Sequence, residues 1–203
     1  DHLPHLEKVR AQARRHASRS IVYGRGVDCE VRLTDVEASP DGSWATIRIG
    51  AGIFRFYVPI PGEGMVSNAL AVASVLHAMG RDVEAGMARL GAMASSQSRL
   101  QWHSLAWDGR RADVLDDSWN AEVASMVHAF GVLALKRNSR KWAALGRIVH
   151  LGDMAAELHR SLAKPLLQNG VELVLTHGEE MLHMRDELPP ERLGPHFETA
   201  DAM

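Results

Sequence analysis

The chain has 203 residues, a formal net charge of −2, 46% apolar and 24% charged residues, which is room for one large domain or two modest ones with an ordinary globular balance. Near-neutral charge without a long basic block excludes the phosphate-binding footprint of a nucleic-acid protein, and no apolar run is long enough to cross a membrane as a helix. The one cysteine, Cys29, excludes an intrachain disulfide, which fits a reducing cytoplasm.

Leu6, Val9 and Ala13 follow helical spacing, and Arg10 to Arg19 read as the solvated face of that helix. Ser20 to Tyr23 is a short apolar strand ending at Gly24-Arg25-Gly26. That Gly-x-Gly lacks the later glycine and the following helix of a dinucleotide fingerprint, so it is a turn. Glu30 to Ala38, Ser43 to Ile49 and Ile53 to Val58 alternate apolar and polar residues. Ser39-Pro40-Asp41-Gly42 and Gly50-Ala51-Gly52 separate them, so the three form an antiparallel meander. Pro59 and Pro61-Gly62 end the pattern. Val66 to Met79 is a helix rich in small residues, suited to packing closely on a sheet, and Gly80 ends it. Arg81-Asp82 opens a second helix through Leu90. The small polar stretch Ala94 to Ser98 marks a domain boundary, dividing residues 1–97 from 98–203.

In the second half, Leu100 to Trp107 and Arg110 to Leu115 form a hairpin around Asp108-Gly109. Val123 to Leu135 is helical, and Lys136 to Lys141 is a basic surface loop. A strand lies within Ala143 to Leu151, a helix spans 155–168, and Val171 to Thr176 is another strand. Repeated strand–helix steps predict an α/β domain with a mostly parallel, doubly wound sheet. Thr199 caps a helix that opens at Ala200. The chain begins without Met and ends inside this helix, so it is expected to be a piece of a longer protein. His150, His177 and His183 lack ligand spacing, and no metal site is expected from them.

Four segments carry a resemblance. They are Pro61-Gly62-Glu63-Gly64-Met65-Val66-Ser67-Asn68-Ala69-Leu70-Ala71-Val72, Ser98-Arg99, Val114-Leu115-Asp116-Asp117-Ser118-Trp119-Asn120-Ala121, and Leu151-Gly152-Asp153-Met154 followed by Glu157-Leu158-His159. In this order they resemble the Mur ligases, the ATP-dependent enzymes that build the peptide of bacterial cell-wall precursors. The resemblance implies that residues 1–97 are the tail of the family's central ATPase domain and residues 98–203 its Rossmann-like C-terminal domain, incomplete at its end. The implied reaction joins a carboxylate to an amine through an acyl phosphate formed from ATP. The Asp-Asp-Ser version points to the branch that adds D-alanyl-D-alanine to a UDP-linked muramoyl tripeptide.

The resemblance implies roles for single residues. Asn68 touches the adenine, Arg99 reaches an ATP phosphate when the C-terminal domain closes, and Asp117 accepts from the ribose hydroxyls. Ser118, Trp119, Asn120, Asp153 and His159 line the substrate cleft. Duller readings stand beside these: Asn68 and Asp116-Asp117-Ser118 as helix caps, Asp153 as a cap, His159 as a structural histidine. No catalytic residue is assigned within the chain. The sequence contains no Gly-x-x-x-x-Gly-Lys-Ser/Thr, so the phosphate loop and the Mg²⁺ ligands are expected upstream of Asp1, and the chain by itself is expected to be inactive. Gly64 stands where the family has His, Trp119 where it has Tyr, and Glu122-Val123 where it has Asn-Pro. A ligase with another amino-acid acceptor, or a non-catalytic nucleotide-binding relative, would share these features. The implied partners are small molecules, with no nucleic acid and no membrane insertion, in the cytoplasm.

Overall fold

The computed structural model describes residues 5–17, 19–137 and 139–203. The readings that touch Asp1 to Pro4, Ser18 and Asn138 lie outside the described residues. The chain divides into two compact units, Asp1–Ala94 and Ser95–Met203.

The first unit opens with α1 (Leu6–His16), which buries none of its residues. Its Arg10 pairs with Glu7 and Asp28. The expected strand at Ser20 to Tyr23 is reduced to β1 (Tyr23–Gly24), lying parallel to β2. Then comes the expected meander: β2 (Val31–Ser39), β3 (Gly42–Ile49) and β4 (Gly52–Val58), each antiparallel to its neighbour. The period-2 alternation sends Val31, Leu33, Ala45, Ile47, Phe56 and Val58 to one face. Onto that face pack α2 (Glu63–Ala78) and α3 (Val83–Ala88) through Val66, Ala69, Leu70, Ala73, Val83 and Met87. Asp82 is the N-cap of α3 and accepts the Ala85 amide at 3.0 Å. Gly42 closes the β2–β3 turn at φ 153°, and a Cβ there would lie 2.4 Å from the Val58 carbonyl oxygen. The turn therefore needs glycine for space as well as for conformation.

The second unit starts with the expected hairpin, β5 (Gln101–Trp107) and β6 (Arg110–Asp116), a two-stranded antiparallel sheet. Asp108 and Gly109 both take positive φ, 48° and 70°, as a two-residue turn matched to strand twist requires. After α4 (Val123–Ala134) come β7 (Trp142–Gly146), α5 (Ala155–Arg160), α6 (Ala163–Gln168), β8 (Leu173–His177), α7 (Leu182–Arg185) and β9 (Leu193–Phe197). The three last strands form a parallel sheet in the order β7-β8-β9. Its core joins Ala143 and Val174 of the sheet to Phe130, Leu162, Leu166, Met181 and Met184.

The unit is α/β, as expected, but three details differ. The parallel strands run in sequence order, without the reversal of a doubly wound sheet among the described residues. The helix expected over 155–168 breaks at Ser161 and Leu162. Pro165 supplies the cause: it has no N–H for the Ser161 carbonyl, and its ring crowds that carbonyl. Strand β9 contains Pro195. Proline is tolerated there because the β8–β9 register shifts across Gly194 and Pro195, and among the described residues β9 pairs with β8 alone.

Candidate functional site

In the second unit the residues of the second and third resembling segments come together. The chain enters β5 through Ser98, Arg99 and Leu100, and leaves β6 through Asp116, Asp117, Ser118 and Trp119. Because β5 and β6 are antiparallel, with Gln101 opposite Asp116, the entry and the exit meet at one end of the hairpin. There the Leu100 amide donates to Asp117 Oδ1 at 3.1 Å. The Trp119 amide donates to the Ser98 carbonyl at 3.1 Å. The Ser98 amide donates to Gln101 Oε1 at 3.0 Å. Asp116 Oδ1 accepts from both the amide and the hydroxyl of Ser118, at 3.0 and 2.7 Å.

The backbone at this junction is strained. Ser98 and Leu100, neither of them glycine, have φ of 55° and 49°. Each residue held in the left-handed region costs about 1–2 kcal/mol, and persists only where its surroundings over-determine it. The three bonds to Gln101, Trp119 and Asp117 supply that determination. Between the two strained residues, the Arg99 guanidinium lies 5.6 Å from the centroid of the Trp119 ring, within cation–π range. It makes no ion pair among the described residues. Trp119 is 63% exposed, so this cation and its aromatic platform face solvent.

The two carboxylates differ electrostatically. Burial pushes the Asp117 carboxyl above the usual carboxylate value, against the Leu100 hydrogen bond and the Arg99 charge. Asp116 is held below it, chiefly by the Ser118 hydroxyl. Neither caps α4, contrary to the duller reading. The N-cap is Glu122, whose amide donates to Ser125 Oγ at 3.1 Å, while that hydroxyl donates to the Glu122 carbonyl at 2.9 Å. The Glu122-Val123 departure therefore builds a local helix start. Ser118 and Asn120 are exposed beside Trp119.

The remaining candidates lie elsewhere. Asn68 sits within α2, whose N-cap is Gly62, so Asn68 is not a cap. It is exposed, and its amide donates to Met65 Sδ at 3.8 Å. Asp153 is exposed on a 3-10 turn between β7 and α5, and its side chain caps neither element. His159 is a correction. It is fully buried, with Nδ1 donating to the Ala155 carbonyl at 2.7 Å and Nε2 accepting the Ile148 amide at 3.0 Å. With both ring nitrogens engaged, it does not face a cleft. Sequence reasoning missed Gln101, because a side chain reaching back three residues to a backbone amide leaves no periodic signal.

Among the described residues, no group of three or more His, Cys, Asp or Glu is placed to hold a metal ion, and no helix is long and apolar enough to cross a membrane.

No family model matches the chain. In sequence it is similar to the UDP-N-acetylmuramoyl-tripeptide–D-alanyl-D-alanine ligase of Escherichia coli strain K12, 29% identical over 147 residues, which cover 72% of this chain and 32% of that protein. It is similar also to the ligase of the same name from Bacillus subtilis strain 168, 27% identical over 159 residues, covering 77% and 34%. The chain thus spans about a third of the length of these curated relatives. In structure it is similar to MurF from Acinetobacter baumannii, with TM-score 0.79 and 22% identity over 96% of this chain and 41% of that one. MurF ligase from Thermotoga maritima, solved in complex with ADP, gives TM-score 0.71 and 17% identity over 93% and 42%. At such identities the structures speak for the fold alone. Sequence and fold agree in what they point to: the chain resembles the Mur ligases that carry the tripeptide–D-alanyl-D-alanine ligase name, and it has the fold of their C-terminal region.

Proposed function

We propose that this chain is part of an ATP-dependent carboxylate–amine ligase that adds D-alanyl-D-alanine to UDP-N-acetylmuramoyl tripeptide in the cytoplasm. One observation carries the reading. The junction of β5 and β6 presents a guanidinium, Arg99, without an ion pair among the described residues, beside a half-buried carboxylate, Asp117, with one oxygen already oriented by the Leu100 amide. That is a donor for phosphate next to an acceptor for hydroxyls, the pair of functions a nucleotide asks for.

In this reaction the terminal phosphoryl group of ATP passes to a substrate carboxylate oxygen, and ADP leaves. The incoming amine then attacks the carbonyl carbon of the acyl phosphate. Inorganic phosphate departs, the nitrogen loses a proton, and an amide remains. Phosphoryl transfer asks the protein for positioning and positive charge more than for covalent chemistry. In this reading Arg99 supplies in-plane N–H donors to phosphate oxygens, and Asp117 accepts from the ribose hydroxyls. The adenine is assigned to Asn68 of the first unit. Ser118, Trp119, Asn120 and Asp153 are assigned to the substrate side of the second. His159 is reassigned to holding the backbone at Ile148. The phosphate loop and the Mg²⁺ ligands belong, in this reading, to residues outside the chain.

The test is product formation by the intact protein. With ATP, Mg²⁺, UDP-N-acetylmuramoyl tripeptide and D-alanyl-D-alanine, mass spectrometry should show the UDP-linked pentapeptide. Turnover with a different amino acid and none with the dipeptide would move the protein to a related ligase with another acceptor. Binding of an adenine nucleotide by the folded protein, with no product from any amino-acid acceptor, would support the non-catalytic nucleotide-binding relative.

A further inference from the structure

Arg99 is held from both sides by left-handed neighbours, Ser98 and Leu100. Strained non-glycine residues are a cost that a fold keeps only where something enforces it, and such residues cluster at ligand clamps and switches. Here three enforcing groups can be named. Gln101 Oε1 takes the Ser98 amide, the Trp119 amide takes the Ser98 carbonyl, and Asp117 Oδ1 takes the Leu100 amide. Two of these partners are backbone or candidate ligand residues. Gln101 is neither, and its half-buried side chain does a job no other residue at the junction does.

Strain at this place is informative because of what it surrounds. The turn carries a cation without an ion pair among the described residues, and that cation lies on an exposed indole. A ring on one face of a guanidinium leaves its in-plane N–H groups free, and these are the groups that bind phosphate oxygens. Fixing the backbone on both sides of Arg99 limits where the guanidinium can go, so less freedom is lost when an anion arrives.

We propose that Gln101 is a positioning residue for the phosphate contact of Arg99. Together with Asp117 and Trp119 it holds Ser98-Arg99-Leu100 in a strained turn that presents the guanidinium to a nucleotide. This rests on the nucleotide reading given above and adds to it a residue that makes no contact with the nucleotide itself.

The experiment compares the intact protein with Gln101→Ala and with the double variant Gln101→Ala/Ser98→Gly. Each is titrated calorimetrically with a non-hydrolysable ATP analogue, and each thermal midpoint is measured. Gln101→Ala should lower both the midpoint and the affinity, the affinity on the order of tenfold. Adding Ser98→Gly removes the strain that Gln101 opposed, so the midpoint should return toward wild type while the affinity stays low. Affinity that returns together with the midpoint would overturn the proposal, because a merely structural glutamine behaves that way. Wild-type affinity in Gln101→Ala would overturn it as well. A folded wild-type protein that binds no analogue would overturn the nucleotide reading and this inference with it, an outcome visible before any variant is made.

Discussion

The Asp117 carboxylate and the Leu100 amide, 17 positions apart in the chain, are joined at 3.1 Å at the mouth of the β5–β6 hairpin. One oxygen of the carboxylate is thereby spent on the fold, and the group is oriented by it. Burial raises the Asp117 carboxyl above its ordinary value. An acid raised in the folded state supports folding below its unfolded value, and that support is lost as pH rises through its folded value.

It follows that Asp117→Asn, which keeps an oxygen for the Leu100 amide and removes the buried charge, should gain stability relative to wild type as pH rises from the ordinary carboxylate range to neutrality. Asp117→Ala leaves the amide without its partner and should lose about 1–3 kcal/mol. Chemical denaturation at two pH values checks both signs.

Asp113 gives the opposite pH dependence. Hydrogen bonds from Ser104 and Lys136, with the Arg111 charge, lower its carboxyl from the model-peptide value of 3.8 to about 2. The Lys136 Nζ lies 3.1 Å from Oδ2. A lowered acid contributes stability above its unfolded value and loses it as pH falls through its folded value. Asp113→Asn should therefore flatten the fall of the thermal midpoint between about pH 4 and pH 2, its cost relative to wild type being largest above about pH 4 and smallest below about pH 2.

His159 can be tested apart from any ligand. His159→Leu fills a similar volume but leaves the buried Ile148 amide without an acceptor. The expected loss is about 1–3 kcal/mol in chemical denaturation. An unchanged stability would contradict the structural role assigned to this ring.

In the first unit two glycines separate space from conformation. Gly42→Ala meets the Val58 carbonyl and the Tyr57 hydroxyl at 2.4 and 2.5 Å, and should cost more than the roughly 1–2 kcal/mol of a left-handed residue alone. Gly50, at φ 57° with nothing within 4 Å of a built Cβ, should show only that conformational cost. Thermal melts of the two alanine variants give the comparison.

What the sequence revealed follows from how local the governing force is. The meander was legible because alternation and the Pro40–Gly42 turn act over a few residues. The β5–β6 hairpin was legible for the same reason, through Asp108-Gly109. Strand β9 was not, since Pro195 argues against a strand until the sheet edge that tolerates it is known. The break at Ser161 needed Pro165 to be read four residues backward. At the site, residue types pointed to Arg99 and Asp117, but their meeting depends on hairpin register, and Gln101 on a side-chain rotamer. His159 was legible as part of a segment, while its burial comes from packing that the segment does not show.

The most direct measurement of the central claim is ADP release by the intact protein with ATP, Mg²⁺, UDP-N-acetylmuramoyl tripeptide and D-alanyl-D-alanine, in wild type, Arg99→Ala and Asp117→Ala. The account predicts release that depends on the dipeptide and collapses in both variants while they remain folded. Release that persists undiminished in both folded variants would contradict the roles given to the β5–β6 junction, and no release from the folded wild-type protein with this pair of substrates would contradict the ligase reading itself.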